Sequence, residues 1–69
     1  MTTLYYCQLS RTSRNSSIYY VIMNGDRKID EDILEGSPAQ VDNQFRWVKG
    51  LYSSERNFSI IETDVPDAV

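Results

Sequence analysis

The chain has 69 residues, 41% hydrophobic and 25% charged, which is the make-up of one folded domain; at this length only about 60% of the unfolded surface can be buried, so its stability margin is thin. Histidine is absent and Cys7 is the lone cysteine, which removes Ser-His and Cys-His nucleophile pairs, histidine-containing and four-thiolate zinc sites, and any disulfide within the chain. Ten acidic residues against seven basic give a net charge of −3, unevenly placed: residues 1–25 carry +2 from Arg11 and Arg14, and residues 26–69 carry −5 from ten acids and five bases.

In chain order, residues 3–9 (TLYYCQL) read as a strand, with Tyr5, Cys7 and Leu9 on one face and Leu4 and Tyr6 on the other. Residues 10–17 hold no apolar group and make a polar turn. Residues 17–23 (SIYYVIM) are almost wholly β-branched or aromatic, the pattern of a central strand. Asn24-Gly25 then signals a hairpin of type I′, since both residues tolerate positive φ. The partner strand is residues 27–34 (RKIDEDIL), although a helical turn competes there. Strict alternation puts Ile29, Glu31 and Ile33 on one face, which turns a carboxylate inward unless a bulge intervenes or the strand is an edge.

The organising stretch is residues 37–52 (SPAQVDNQFRWVKGLY). Ser37 and Gln40 form an S-x-x-Q capping box with Pro38 at the first helical position, and Val41, Phe45, Val48 and Tyr52 fall along one helical face with Leu51 at its margin. Trp47 lies off this stripe and is expected to be partly buried; Asp42 and Arg46 are spaced as a helix-surface ion pair. Gly50 marks either a C-cap or the last turn. Residues 58–63 (FSIIET) read as a last strand. The whole is a β-β-β-α-β chain, an α+β domain over residues 1–65 with a small antiparallel sheet of three to four strands, one helix packed on one face and a frayed tail at 66–69.

No loop of phosphate-cradling pattern is present among the three glycines, so no nucleotide cofactor is expected. Asp30, Asp32 and Glu35 could serve as an acid and a base only if burial separated their pKa values, and the spacing from Asp26 to Glu35 does not fit a calcium loop. No catalytic residue and no metal ligand is assigned. No charged-plus-apolar leader opens the sequence and no apolar run has the roughly 20 residues of a membrane span, so a cytoplasmic location is expected.

What remains is binding. Residues 26–42 hold six acids and two bases, a local −4, and acids two apart on a strand stand about 6.6 Å apart on one face, close enough to phosphate spacing to imitate a few phosphates. Such a patch steers a protein to a basic surface. Asp26, Asp30, Glu31, Asp32 and Glu35, with Trp47, Tyr6 and Tyr19 as aromatic anchors, are therefore the candidate partner-binding residues. The expected partner is a larger protein with a basic surface; association of two copies would also widen the stability margin. An alternative is a single-stranded nucleic-acid binder that stacks bases on Tyr5 or Tyr6 and Tyr19 or Tyr20 with Arg11 and Arg14 on phosphates, disfavoured by the net charge. In size, acidity and lack of catalytic groups the chain resembles the small phage-encoded inhibitors of host defence, including anti-CRISPR proteins. That resemblance implies a non-enzymatic inhibitor of a nucleic-acid-handling complex such as a CRISPR effector, acting by blocking its nucleic-acid site.

Overall fold

The β-branched and aromatic runs form strands and the capped stripe forms a helix. The computed structural model describes residues 1–63, ordered β1 (Thr2–Arg11), β2 (Ser16–Asn24), β3 (Arg27–Gly36), α1 (Pro38–Gly50) and β4 (Ser59–Glu62). The sheet order is β3-β2-β1-β4, which makes the SIYYVIM strand an inner one. The tail expected to fray lies outside the described residues.

β1 and β3 both pair antiparallel with β2, and β4 pairs parallel with β1. The α+β class with one helix on one face holds; the sheet itself is mixed, because α1 carries the chain from one edge to the other and so delivers β4 in the direction of β3. Parallel neighbours need a crossover of a dozen or more residues, and α1 with its following turns supplies it.

The cross-strand register sorts every strand residue onto a face. Leu4, Tyr6, Ile18, Tyr20, Ile22, Asp30, Asp32 and Leu34 share the helix side; Tyr5, Cys7, Tyr19, Val21, Met23, Glu31, Ile33 and Ile61 share the opposite side. The core is the helix side. Val41, Phe45 and Val48 bury against Leu4, Ile18, Tyr20 and Ile22, with Tyr6, Leu34, Tyr52 and Phe58 packed around them. The Tyr6 and Phe45 rings meet at 4.8 Å between centroids, and the Lys49 ammonium sits 5.0 Å from the centre of the Phe45 ring.

Ser37 caps the helix, its hydroxyl accepting the Gln40 N–H at 3.3 Å, and Pro38 occupies the first turn. Gly50 closes the helix in its last turn rather than as a left-handed cap, since Leu51 is the C-cap and keeps right-handed helical angles. The hairpin turn also differs from expectation: its two central residues are Gly25 and Asp26, between Asn24 and Arg27, which pair. Gly25 has φ +65° and no described non-glycine residue has positive φ, so the turn is of the II′ kind with glycine first. Asp42 ion-pairs at 3.3 Å with Arg11, which the register turns toward the helix, in place of the expected Arg46.

Because Phe45 is the largest of the three helix side chains buried on the sheet, Phe45→Ala is expected to remove about 3–5 kcal/mol, most of the stability of so small a domain. Urea unfolding followed by circular dichroism measures it.

Candidate interaction surface

β3 is an edge strand, and the acidic run does form a strand throughout. Between Ile22↔Asp30 and Met23↔Lys28 the register skips Ile29, which is the extra residue of a β-bulge. The bulge shifts the facing of the acids. Asp30 and Asp32 stand on the helix side, while Glu31 and Glu35 stand on the opposite side with Lys28 and Ile33. The acidic segment is therefore two short rows on two faces, and Asp26 lies apart in the hairpin turn.

The two rows are held differently. On the side away from the helix, Glu31 accepts from the Tyr19 hydroxyl and from Lys28 Nζ at 3.1 Å, so its charge is locally balanced. Those two bonds, the Tyr19 hydroxyl first and then Lys28, hold the Glu31 carboxyl below its ordinary pKa. On the helix side, Asp30 accepts the N–H of Glu31 at 2.9 Å and Asp32 accepts the N–H of Ile33 at 2.8 Å. An amide donor carries no full positive charge, so these bonds occupy backbone donors of the edge without giving either acid a cationic partner. Their field reaches the sheet: burial first, then Asp30, Asp32 and Tyr52, raises the Tyr20 phenol above its ordinary pKa.

Trp47 is 73% exposed, which corrects the expectation of partial burial. Two open grooves flank it. One is lined by Leu34, Asn43, Gln44, Trp47 and Val48, the other by Arg46, Trp47, Gly50 and Leu51. Leu34 shares its face of β3 with Asp32, two residues away, and with Asp30, so the strand that lines the first groove carries both carboxylates on the same face.

Of the candidate residues, Asp30, Asp32 and Trp47 are thus on one side of the molecule; Tyr19, Glu31 and Glu35 are on the other. Tyr6 is corrected: it packs on Phe45 beneath the helix and is not an outward anchor beside Tyr19. The nucleic-acid alternative is divided in the same way, with Tyr5 and Tyr19 on the face away from the helix, Tyr20 buried in the core, and Arg11 turned to Asp42. Asp30 and Asp32 are separated by the sheet from Glu35, and all three are exposed, so no shared acid–base site is built from them. Leu34 and Leu51 were placed in the third strand and at the margin of the stripe but not among the binding candidates; the parity of Leu34 with Asp32 was a usable signal for the former. No helix is long and apolar enough to cross a membrane among the described residues. Comparison with protein-family models, curated proteins and solved structures finds no match to this chain.

Two titrations follow. Removing the hydroxyl donor in Tyr19→Phe should raise the Glu31 carboxyl pKa toward its ordinary value, read by carbon-detected NMR; with the donor present, the stabilisation linked to Glu31 holds above the unfolded pKa and fades as pH falls through the lowered one. For Tyr20 the sign is reversed, because its folded pKa is raised: its stabilisation is complete below the unfolded phenol pKa and is lost as pH climbs through the folded one. Asp30→Asn with Asp32→Asn should bring Tyr20 ionisation to lower pH, yet not fully to the ordinary value because burial remains, as followed by phenolate absorbance.

Proposed function

We propose that this chain is a non-enzymatic interaction module that docks on the basic surface of a larger protein through Trp47, Leu34 and the carboxylates of Asp30 and Asp32. The observation that carries this reading is the 73% exposure of Trp47 beside an open groove at the margin of the acidic strand. A tryptophan in the open contributes nothing to the core, whereas at an interface its large rigid area makes it among the most frequent dominant contacts. The neighbouring carboxylates give the docking its direction, since charges at the rim of an aromatic anchor raise the association rate and exclude acidic partners.

The partner class is a nucleic-acid-handling complex such as a CRISPR effector, with the chain acting as an inhibitor that occupies its nucleic-acid site. Two considerations support this class: the spacing of about 6.6 Å between Asp30 and Asp32 along the strand, and the small acidic make-up shared with phage inhibitors. Only a few phosphates are imitated. A duplex carries one charge per about 1.7 Å, and a chain of net charge −3 cannot reproduce that over its length.

The test is capture of a nuclease-treated host lysate on immobilised protein, with the retained complex then assayed for nucleic-acid binding. Wild type should retain such a complex and inhibit it; Trp47→Ala and the pair Asp30→Lys with Asp32→Lys should each lose retention at least tenfold while keeping the wild-type circular dichroism. Retention undiminished by the lysine pair would sink the proposal. Direct shift assays with single-stranded RNA and DNA at low salt should show no binding, which separates this reading from the nucleic-acid alternative.

A further inference from the structure

Asparagine is a thermolabile residue, because its side-chain amide can be attacked by the main-chain nitrogen of the residue that follows. Glycine in that following place leaves the approach uncrowded. Asn24-Gly25 is the one such step in the sequence; Asn15, Asn43 and Asn57 precede Ser16, Gln44 and Phe58. The fold widens the difference. Asn24 and Gly25 are exposed in the β2–β3 turn, where Gly25 takes φ +65° and a methyl group on its Cα would meet no heavy atom within 4 Å. Ser16 is 2% exposed, Gln44 has its N–H inside α1, and the Phe58 N–H donates to the Glu55 carbonyl at 3.4 Å.

We infer that Asn24 is a site of spontaneous covalent modification, converted to aspartate and isoaspartate through a cyclic imide formed with Gly25, with water as the co-reactant. The Gly25 nitrogen gives up its proton to solvent base and bonds to Cγ of Asn24. The Cγ–Nδ2 bond breaks, and the nitrogen leaves as ammonia with a proton from solvent. Water then adds to one of the two imide carbonyls. Opening of the Cγ–N bond restores the main chain with aspartate at position 24, and opening at the main-chain carbonyl routes the chain through the side-chain methylene as isoaspartate. Nothing is oxidised or reduced.

The hairpin end gates this reaction. Met1 holds both reacting groups: its nitrogen donates to Asn24 Oδ1 at 3.2 Å, and its carbonyl accepts the Gly25 N–H at 3.2 Å. Asn24 is further paired with Thr2 on one side and Arg27 on the other. Ring closure consumes the Gly25 N–H and fixes the Asn24 torsion within a five-membered ring, so it waits on local opening of this end, a smaller event than global unfolding. The two products differ in consequence. Aspartate adds a negative charge two places before Asp26 and offers Met1 a stronger acceptor, whereas isoaspartate inserts one main-chain atom where β1, β2 and β3 are in register. Neither Asn24 nor Gly25 belongs to the docking surface proposed above, so this inference stands independently of it.

Incubation of the full chain in mildly alkaline buffer made with heavy-oxygen water tests it. Peptide mapping with electron-transfer fragmentation should find the heavy oxygen at Asn24, in both products, well ahead of Asn15, Asn43 and Asn57. Hydroxylamine present during the incubation should capture the imide and cut the chain after residue 24. Urea, which releases Gly25 from Met1, should speed the modification several-fold. Gly25→Ala, with its fold checked by circular dichroism, should slow it several-fold; Asn24→Gln, a change at an exposed strand end, should abolish the hydroxylamine cut and serves even where the alanine strains the turn. No heavy oxygen at Asn24, equal labelling of all the asparagines, a rate unchanged by urea, or a cut that persists in Asn24→Gln would each overturn the inference.

Discussion

One helical stripe laid on one face of a sheet is the constraint from which the rest of this molecule follows. Val41, Phe45 and Val48 bury themselves on Leu4, Ile18, Tyr20 and Ile22, and the described residues hold only this one helix with which to do it. Burial of that order is what a domain of this size needs to offset the entropy of ordering its backbone. The stripe also sets the topology. The helix begins at the end of β3 on one edge and must return a strand to the sheet, and the vacant place beside β1 on the other edge is where β4 pairs, parallel. Tyr6 is drawn into the same contact through Phe45, which is why an aromatic that alternation could have placed outward is occupied in the core.

The bulge at Ile29 is the second determinant, and it acts on chemistry rather than on packing. Without the extra residue, the acids of β3 would hold one parity with the start of the strand. With it, Lys28 joins Glu31 on the side away from the helix and can reach its carboxylate, while Asp30 and Asp32 fall beside the helix groove. One inserted residue thus separates a balanced pair from an unbalanced one. The unbalanced carboxylates then find donors in the strand's own N–H groups at Glu31 and Ile33. An edge with its backbone donors taken and negative charge at its rim resists addition of another strand.

Local signals were legible in the sequence and non-local ones were not. The Ser37 cap, the Pro38 start, the stripe and the inner position of SIYYVIM depend on residues within a few places of one another, and each is where the pattern put it. The Ile29 bulge depends on which β2 residue it must oppose, and the Asn24-Gly25 turn moved by one place because Asn24 pairs with Thr2 as well as Arg27. Asp42 chose Arg11, 31 residues distant, over the neighbour four away, which no periodicity can foresee. Trp47 is the instructive miss. At about 100° per residue it sits roughly 120° from the centre of the stripe, so spacing alone placed it outside; the hydrophobicity of the residue, rather than its position, argued for burial.

Exposed apolar surface in a small domain carries a standing cost in solubility, and it persists where something else uses it. Among the described residues Trp47 is the largest such side chain. Trp47 is a projecting ring between two open grooves, with Arg46 lining one and the acidic strand beyond the other, a shape suited to entering a pocket of a different molecule. The β3 edge, with its own aspartates holding backbone donors, is poorly suited to adding a strand, so what it presents to a neighbour is side chains and charge.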